Sequence, residues 1–494
     1  MNHRLILKYL GHFMAAIGLL MLPSAAWAVW FREWSSLIAL LEAMAIAAAA
    51  GAALSLMGRK ANPLMYRRDG LALVGLGWLL MAAVGALPFI TSGLLSPVDA
   101  YFESMSGFTT TGSTVLVDIE STDKSLLFWR SFTHWLGGMG IIVLFIAVLP
   151  YLGAGGKQLF RSESPGPDPR GLSPRIKDTA SILYKIYLGL TVAETVLLML
   201  AGMNFYDALC HTFGTLATGG FSPRNASIAA FDSVAIDMII IFFMVAAGTN
   251  FALYFQTLRG EYRAMARNTE WRVYITLLAV GTLLVTLNLL GAQGSVGLSE
   301  GHGDTGYGLG KALRMAAFQV VSIMTTTGYV TDNFETWPFF SRALLVFLMF
   351  VGGSAGSTGG GLKVLRIVLL GKMVLRQLQH TFQPKTVRAI RINGAVVDPE
   401  IQQTVFSFFA LHIGIFGVGV VLMSALGLPL ETALTSVAAT LNNIGPGLER
   451  VGAIENYAFI PQTGKLFLTL CMALGRLELF SICVLFLPSF WRSS

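Results

Sequence analysis

The chain is 494 residues long, 54% hydrophobic and only 12% charged, with a formal net charge of +7. Soluble domains carry about 25% charged residues, so this composition excludes an ordinary soluble protein. Apolar runs of about twenty residues recur throughout and specify an integral membrane protein.

The runs are continuous rather than alternating, which favours helices over a closed barrel. Cys210, Cys471 and Cys483 show neither a disulfide framework nor metal-ligand spacing. In chain order, candidate spans cover 5–26, 36–57, 70–92, 125–150, 179–203, 231–258, 272–292, 338–370, 403–427 and 465–490. The first follows Arg4 and Lys8 and ends in Ser24-Ala25-Ala26-Trp27-Ala28, which imitates a signal peptide. In a chain with many spans it is read as a retained helix, with Trp27, Trp30 and Trp34 at the outer interface.

Basic residues gather in the alternate connections 58–70, 151–178, 259–272 and 362–398. With Arg4, Lys8 and Arg492, that side holds 23 of the 34 basic residues and 8 of the 27 acidic ones. The positive-inside rule makes it cytoplasmic, with both termini on it. The charge orients the chain in the lipid bilayer, and no nucleic-acid partner is expected. Asp118, Glu120, Asp123, Asp332, Glu335, Glu449 and Glu455 fall in the opposite connections. They are read either as ordinary loop chemistry or as a negative vestibule that concentrates cations.

One polar stretch recurs four times between spans: FTTTGST at 108–114, LATGGFS at 216–222, TTTGYVT at 325–331 and NNIGPGL at 442–448. Aligned on Gly112, Gly219, Gly328 and Gly445, the intervals are 107, 109 and 117 residues. Each copy follows a lead-in of two to three helical turns, too short to cross about 30 Å of hydrocarbon. A short helix with a polar strand after it is a re-entrant loop, and irregular backbone at that depth is tolerated only inside protein or against water. Four such loops around one axis would line a pore with carbonyl oxygens that replace the hydration shell of a monovalent cation. The donors are neutral oxygens, which fits potassium better than a divalent ion. Asp99 and Asp207 are expected to cap the short helices. Glu103 is expected to hydrogen-bond behind the loop or to hold cations near its mouth. His134 is read as a packed side chain, ahead of a proton relay.

Residues 352–361 read GGSAGSTGGG. Six glycines disfavour helix by roughly 6 kcal/mol relative to alanine, so the 338–370 span should break near mid-membrane. The loop is not a phosphate-binding loop, because no Gly-Lys-Ser/Thr follows. Close packing of small residues and a gate are its two readings. Arg476 lies about 18 Å along the last span, and a charge at that depth is functional by default. It is read either as a barrier below the loops that contacts 352–361, or as a buried ion-pair or hydrogen-bond anchor.

With GFTTTGST (107–114), TLATGGFS (215–222), TTTGY (325–329), TLNNIGPGL (440–448), HWLGGMGI (134–141), GSAGSTGGGLK (353–363) and ALGRLELF (473–480), the sequence resembles the Trk/Ktr/HKT superfamily of potassium transporters, and within it the TrkH-type subunits. The resemblance covers nearly the whole chain. It implies an all-α integral membrane protein: an N-terminal helix pair, then four helix–pore-loop–helix repeats in pseudo-fourfold arrangement around one pore. The units would be 1–69, 70–178, 179–270, 271–398 and 399–494. It implies potassium uptake across a bacterial cytoplasmic membrane, with potassium ligated by backbone carbonyls of Thr110, Thr111, Gly112, Ala217, Thr218, Gly219, Thr326, Thr327, Gly328, Asn443, Ile444 and Gly445. Gly112, where some relatives carry serine, argues against sodium passage. Gly352, Gly353, Gly356, Gly359, Gly360, Gly361 and Arg476 would form the gate. The resemblance also implies a homodimer and a separate cytosolic nucleotide-binding regulatory subunit contacting 151–178 and 362–398. A symporter coupled to protons or sodium is the alternative mechanism. An enzyme is not expected, since the sequence offers no paired carboxylates, nucleophile–base pair or metal-ligand cluster.

Overall fold

A computed structural model describes residues 1–140, 176–291, 307–385, 389–477 and 479–491. The distal part of the 125–150 span, most of the 151–178 connection, Arg388, Glu478 and Arg492 lie outside the described residues. The described chain is almost entirely helical; its one short ribbon pairs Arg391–Ile392 with Ala395–Val396.

The N-terminal unit is α1 (His3–Leu20) and α2 (Leu22–Phe31), joined at Met21, followed by α3 (Trp34–Met57). Small residues let α1 and α3 cross closely: a Cβ on Gly11 would stand 2.5 Å from the Gly51 carbonyl oxygen. Trp30 and Trp34 are exposed at the turn between α2 and α3, whereas Trp27 stacks on Phe31 at 5.2 Å between ring centroids.

Four further units follow one pattern. Each opens with a long helix: α4 (Arg67–Thr91), α7 (Ile176–Leu200), α11 (Thr269–Gly291) and α15 (Pro399–Ala425). Next comes a short helix: α5 (Pro97–Phe108), α8 (Phe205–Leu216), α12 (Leu309–Met324) or α16 (Leu430–Leu441). A second membrane helix closes the unit, and in every case it is interrupted. In the first unit α6 (Lys124–Trp135) passes into a π-helical turn at Leu136–Gly140. In the second, α9 (Val234–Ala247) and α10 (Phe251–Leu258) meet at 92°. In the third, α13 (Phe339–Met349) and α14 (Val364–Phe382) are separated by the glycine-rich loop. In the fourth, α17 (Gln462–Arg476) stops and α18 (Leu479–Cys483) resumes.

Among the described residues six helices are long and apolar enough to cross a membrane continuously, or seven with the bent pair. Of the ten spans read from hydropathy, 338–370 breaks as expected, and 231–258 and 465–490, read as continuous, are corrected to broken ones. Gly137, Gly138, Gly248, Gly352 and Gly475 sit at the breaks, where helix propensity is poorest. Large apolar side chains such as Phe242, Leu287 and Val421 face outward, while Glu103, Arg130, His134, Glu194 and the loop threonines are buried. That inverted distribution, with its apolar helices, is that of a multi-pass all-α membrane protein.

Candidate functional site

The four short helices carry the site. Ser96 and Asn204 cap α5 and α8, accepting bonds from Asp99 N at 3.3 Å and Asp207 N at 2.9 Å. Asp99 and Asp207 are therefore not the caps. Each sits in the first turn, where a carboxylate complements the helix dipole. Asp99 pairs with Lys465 at 2.5 Å, and Asp207 with Arg224 at 2.6 Å.

All four helices end in the same way. Thr111 N bonds Ser106 O at 2.9 Å and Thr110 N bonds Gly107 O at 3.1 Å. The pairs Gly219–Gly214 and Thr218–Thr215, Thr327–Ser322 and Thr326–Ile323, and Ile444–Ala439 and Asn443–Thr440 repeat the pattern. This is a Schellman ending, which needs one left-handed residue. That residue is Thr110, Thr218, Thr326 or Asn443, at φ 52°, 56°, 60° and 55°. Glycine is usual there, and a β-branched residue is strained by about 1–3 kcal/mol. Two residues later the backbone turns left-handed again at Gly112, Gly220, Gly328 and Gly445, with φ of 85°, 79°, 80° and 100°.

These glycines are what bring the loops together. A Cβ on Gly112 would lie 2.2 Å from Gly219 O; on Gly220, 2.0 Å from Thr327 O; on Gly328, 1.9 Å from Ile444 O; on Gly445, 2.7 Å from Thr111 O. The contacts run from loop one to two, three, four and back to one. They close a ring that side chains would break. Outside it lies a cavity of about 110 Å³ lined by Gly112, Gly220, Gly328, Gly445, Arg130 and Asn225 among others.

The ring corrects the register of the second loop. Gly220, not Gly219, is equivalent to Gly112, so the intervals become 108, 108 and 117. Gly219 shares its position with Thr111, Thr327 and Ile444. Ala217 is the C-cap residue of α8, the counterpart of Thr109, Thr325 and Asn442. The reason for the doubled glycine is His134: a Cβ on Gly219 would fall 2.0 Å from its Nδ1. His134 packs against Phe221 at 4.0 Å between centroids, and neither ring nitrogen has a hydrogen-bond partner among the described residues.

Against the C-terminal ends of α12 and α16 runs the glycine-rich loop. Gly352 N bonds Leu362 O at 2.8 Å, and Val364 N bonds Gly353 O at 3.2 Å. Gly356 and Gly361 are left-handed, and Gly356 O accepts from Phe251 N at 3.1 Å. A Cβ on Gly359 would come 3.1 Å from Thr325 O. Gly360 N donates to Thr326 Oγ1 at 2.7 Å, and a Cβ there would stand 2.7 Å from Asn442 O. Buried Glu270 accepts from Ala355 N at 2.6 Å and Leu365 N at 3.1 Å. Arg476, the last residue of α17, donates to Thr358 O at 2.6 Å, as the sequence anticipates. It also reaches Gly137 O at 2.7 Å and Gly138 O at 3.1 Å, contacts no spacing rule announces.

Most carboxylates of the acidic connections are tied into local structure. Arg342 pairs with Glu431 and, at 3.6 Å, with Glu335, whose Oε1 accepts from Glu449 N at 2.5 Å. Burial raises Glu335 above the ordinary carboxylate range. The Asn225 amide, 2.9 Å away, holds Asp118 below it. Asp123 accepts from Ser36, and Asp332 from Tyr307, each at 2.5 Å. This bonding favours loop chemistry over a free vestibule of charge.

Re-entrant loops that meet in a ring, carried by interrupted apolar helices, define a membrane protein of the transporter and channel class. Residues 37–493 match the TrkH family, described as cation transport protein. The chain is 39% identical over 497 residues to the Trk system potassium uptake protein TrkH of Halomonas elongata, covering all of both chains. It is 41% identical over 455 residues to the Escherichia coli K12 protein of the same name, covering 90% of this chain and 91% of that one. The crystal structure of the potassium transporter TrkH from Vibrio parahaemolyticus superposes with a TM-score of 0.87 at 36% identity, covering both chains fully. The chain belongs to the TrkH family.

Proposed function

We propose that this protein mediates potassium uptake across a bacterial cytoplasmic membrane, both termini inside, through the ring of loops. The observation that carries the reading is the closed cycle of glycine-to-carbonyl approaches between successive loops. The ligands are carbonyl oxygens of Thr110, Thr111, Gly112, Thr218, Gly219, Gly220, Thr326, Thr327, Gly328, Asn443, Ile444 and Gly445. Thr110 Oγ1 and Asn443 Oδ1, at equivalent positions, are buried and without a hydrogen-bond partner among the described residues. Such orphaned neutral oxygens fit a potassium ion as cargo. The relatives, Trk system potassium uptake proteins, point the same way.

The loop 352–361 and Arg476 act as the gate in this reading. Support comes from the contacts of Gly359 and Gly360 with the inner ends of loops three and four, and from the span of Arg476 between Thr358 and Gly137. The unit boundaries after 69, 178, 270 and 398, a homodimer, and a cytosolic nucleotide-binding subunit docked on the basic 362–398 segment belong to the same proposal and rest on resemblance.

Planar-bilayer recording of the purified protein in mixed potassium and sodium tests the function. Currents should reverse close to the potassium equilibrium potential at any pH. A reversal potential that follows the proton or sodium gradient would support the symporter instead, and absence of potassium-selective current would overturn the ion path.

A further inference from the structure

The four short helices differ at one equivalent position. Nine residues before the second left-handed glycine stand Glu103, His211, Gln319 and Ser436. All are buried. Three of them brace the strand that leaves their own loop. Glu103 accepts from Thr114 Oγ1 at 2.9 Å and Val115 N at 2.8 Å. His211 Nε2 meets Ser222 Oγ at 2.9 Å, and Gln319 Nε2 meets Thr331 Oγ1 at 3.4 Å. In the fourth loop Ser436 bonds only within its helix, and Thr435 takes over, accepting from Leu448 N at 3.0 Å. Of the four positions, only the first is held by an acidic residue.

Glu103 does more than brace its own loop. Its Oε1 accepts from Arg130 Nε at 2.6 Å, with the two side chains 0% and 2% exposed. Arg130 Nη1 then donates to Ser222 O at 3.1 Å, in the strand leaving the second loop. The guanidinium carbon lies 3.5 Å from the centroid of the Phe221 ring in that same strand. One buried ion pair thus links Thr114 and Val115 of the first loop to Phe221 and Ser222 of the second. Stability does not require it, because apolar residues of similar volume hold helices together without the desolvation cost of a buried pair. What apolar residues lack is a set of directed bonds that fixes the distance between two strands. Arg130 also lines the outer cavity beside Gly112 and Gly220, where its charge is cancelled by Glu103.

We propose that Glu103 and Arg130 are positioning residues: a clamp that sets the spacing of the first two loops at the outer end of the path and so sharpens discrimination between potassium and sodium. The proposal rests on the ion-path reading given above. Carbonyl rings discriminate by the size and number of the oxygens they offer, so a loosened pair of loops admits the smaller ion.

The test is the bi-ionic reversal potential of the full-length purified protein in planar bilayers, for Arg130→Lys, Glu103→Gln and the double variant Glu103→Gln/Arg130→Gln. Arg130→Lys keeps the charge but loses the fork to Ser222. The double variant removes clamp and charge together. In both, the potassium-to-sodium permeability ratio should fall by about fivefold, equivalent to about 1 kcal/mol. Glu103→Gln leaves an uncompensated guanidinium at the cavity, so its potassium conductance should fall as well. The double variant, with both charges gone, should lose less conductance than Glu103→Gln does. As a second readout, potassium should raise the melting temperature of the unmodified protein more than sodium does, and this difference should shrink in the variants. A permeability ratio within twofold of the unmodified value in Arg130→Lys and the double variant would overturn the clamp. Failure of every variant to accumulate would assign the pair to folding alone and overturn it too. An unmodified protein that does not discriminate the two ions would instead remove the ion path itself.

Discussion

Two kinds of irregular backbone lie inside this membrane protein, and they are held differently. The four ring loops secure their own N–H groups: each turns back onto the helix just left, through the same Schellman bonds. Side chains stay off the axis because glycine occupies each point of closest approach. The loop 352–361 has no such local ending. Besides local bonds such as Gly352 N to Leu362 O and Ser357 N to Ser354 O, it is held from far along the chain, by Glu270, Thr326, Ala247, Gly248 and Arg476. A backbone that satisfies itself keeps its shape whatever its neighbours do. A backbone held by distant side chains is released when those side chains move. The first arrangement suits a fixed path and the second a movable obstruction.

Substitutions can break or sharpen that contrast. The largest effect is expected from Gly328→Ala, which forces a Cβ to within 1.9 Å of Ile444 O at φ 80°. The left-handed penalty alone is about 1–2 kcal/mol, and the carbonyl must also move. Rubidium-tracer uptake into proteoliposomes should fall on the order of tenfold or more at that cost; near-normal uptake would mean that the ring is not the path. Gly359→Ala makes the matching change in the other loop, where the nearest oxygen is 3.1 Å away. It should leave the potassium-to-sodium ratio unaltered.

Arg476→Ala removes three bonds to backbone carbonyls. Charged hydrogen bonds contribute about 1.5–3 kcal/mol each, so tracer flux should rise several-fold with selectivity unchanged. Lower flux from a normally folded variant would make Arg476 an anchor instead. Shortening the 352–361 loop should raise flux in the same direction. Glu270→Gln is a milder form of the same release. It weakens the acceptor shared by Ala355 and Leu365, and a loss of about 1 kcal/mol should raise flux by a factor of a few. The smallest effect is expected from Gly371→Ala in α14, where a Cβ meets nothing within 4 Å. It should add about 0.5–1 kcal/mol of helix stability, visible in thermal melting, and leave flux alone. A large flux change there would show that α14 is coupled to the path more tightly than its contacts imply.

Much of this architecture was legible in the residues. Hydropathy located the membrane helices, because lipid imposes one chemistry over about twenty residues. The repeated hydroxyl–glycine stretch marked all four loops, because a Schellman ending followed by a close approach demands left-handed residues at fixed spacing. Six glycines in ten residues announced the break in the third unit, and Arg476 stood out as a charge at membrane depth.

Tertiary structure decided what depends on neighbours distant in sequence. Hydropathy averages over a window, so it joined α9 to α10 and α17 to α18 across breaks that only the 92° bend and the end of α17 reveal. Local pattern could not choose between Gly219 and Gly220, since both stand in the same TGG; the side chain of His134, 85 residues earlier, makes the choice by filling the space beside Gly219. Sequence reading placed Glu103 behind its loop but could not name Arg130 as its partner, because the pair joins two helices and two loops. The chain by itself marked where its backbone leaves the helix at the four ring loops and at 352–361. Which backbone atoms then meet was determined only by packing, because those distances are set by side chains that arrive from other units.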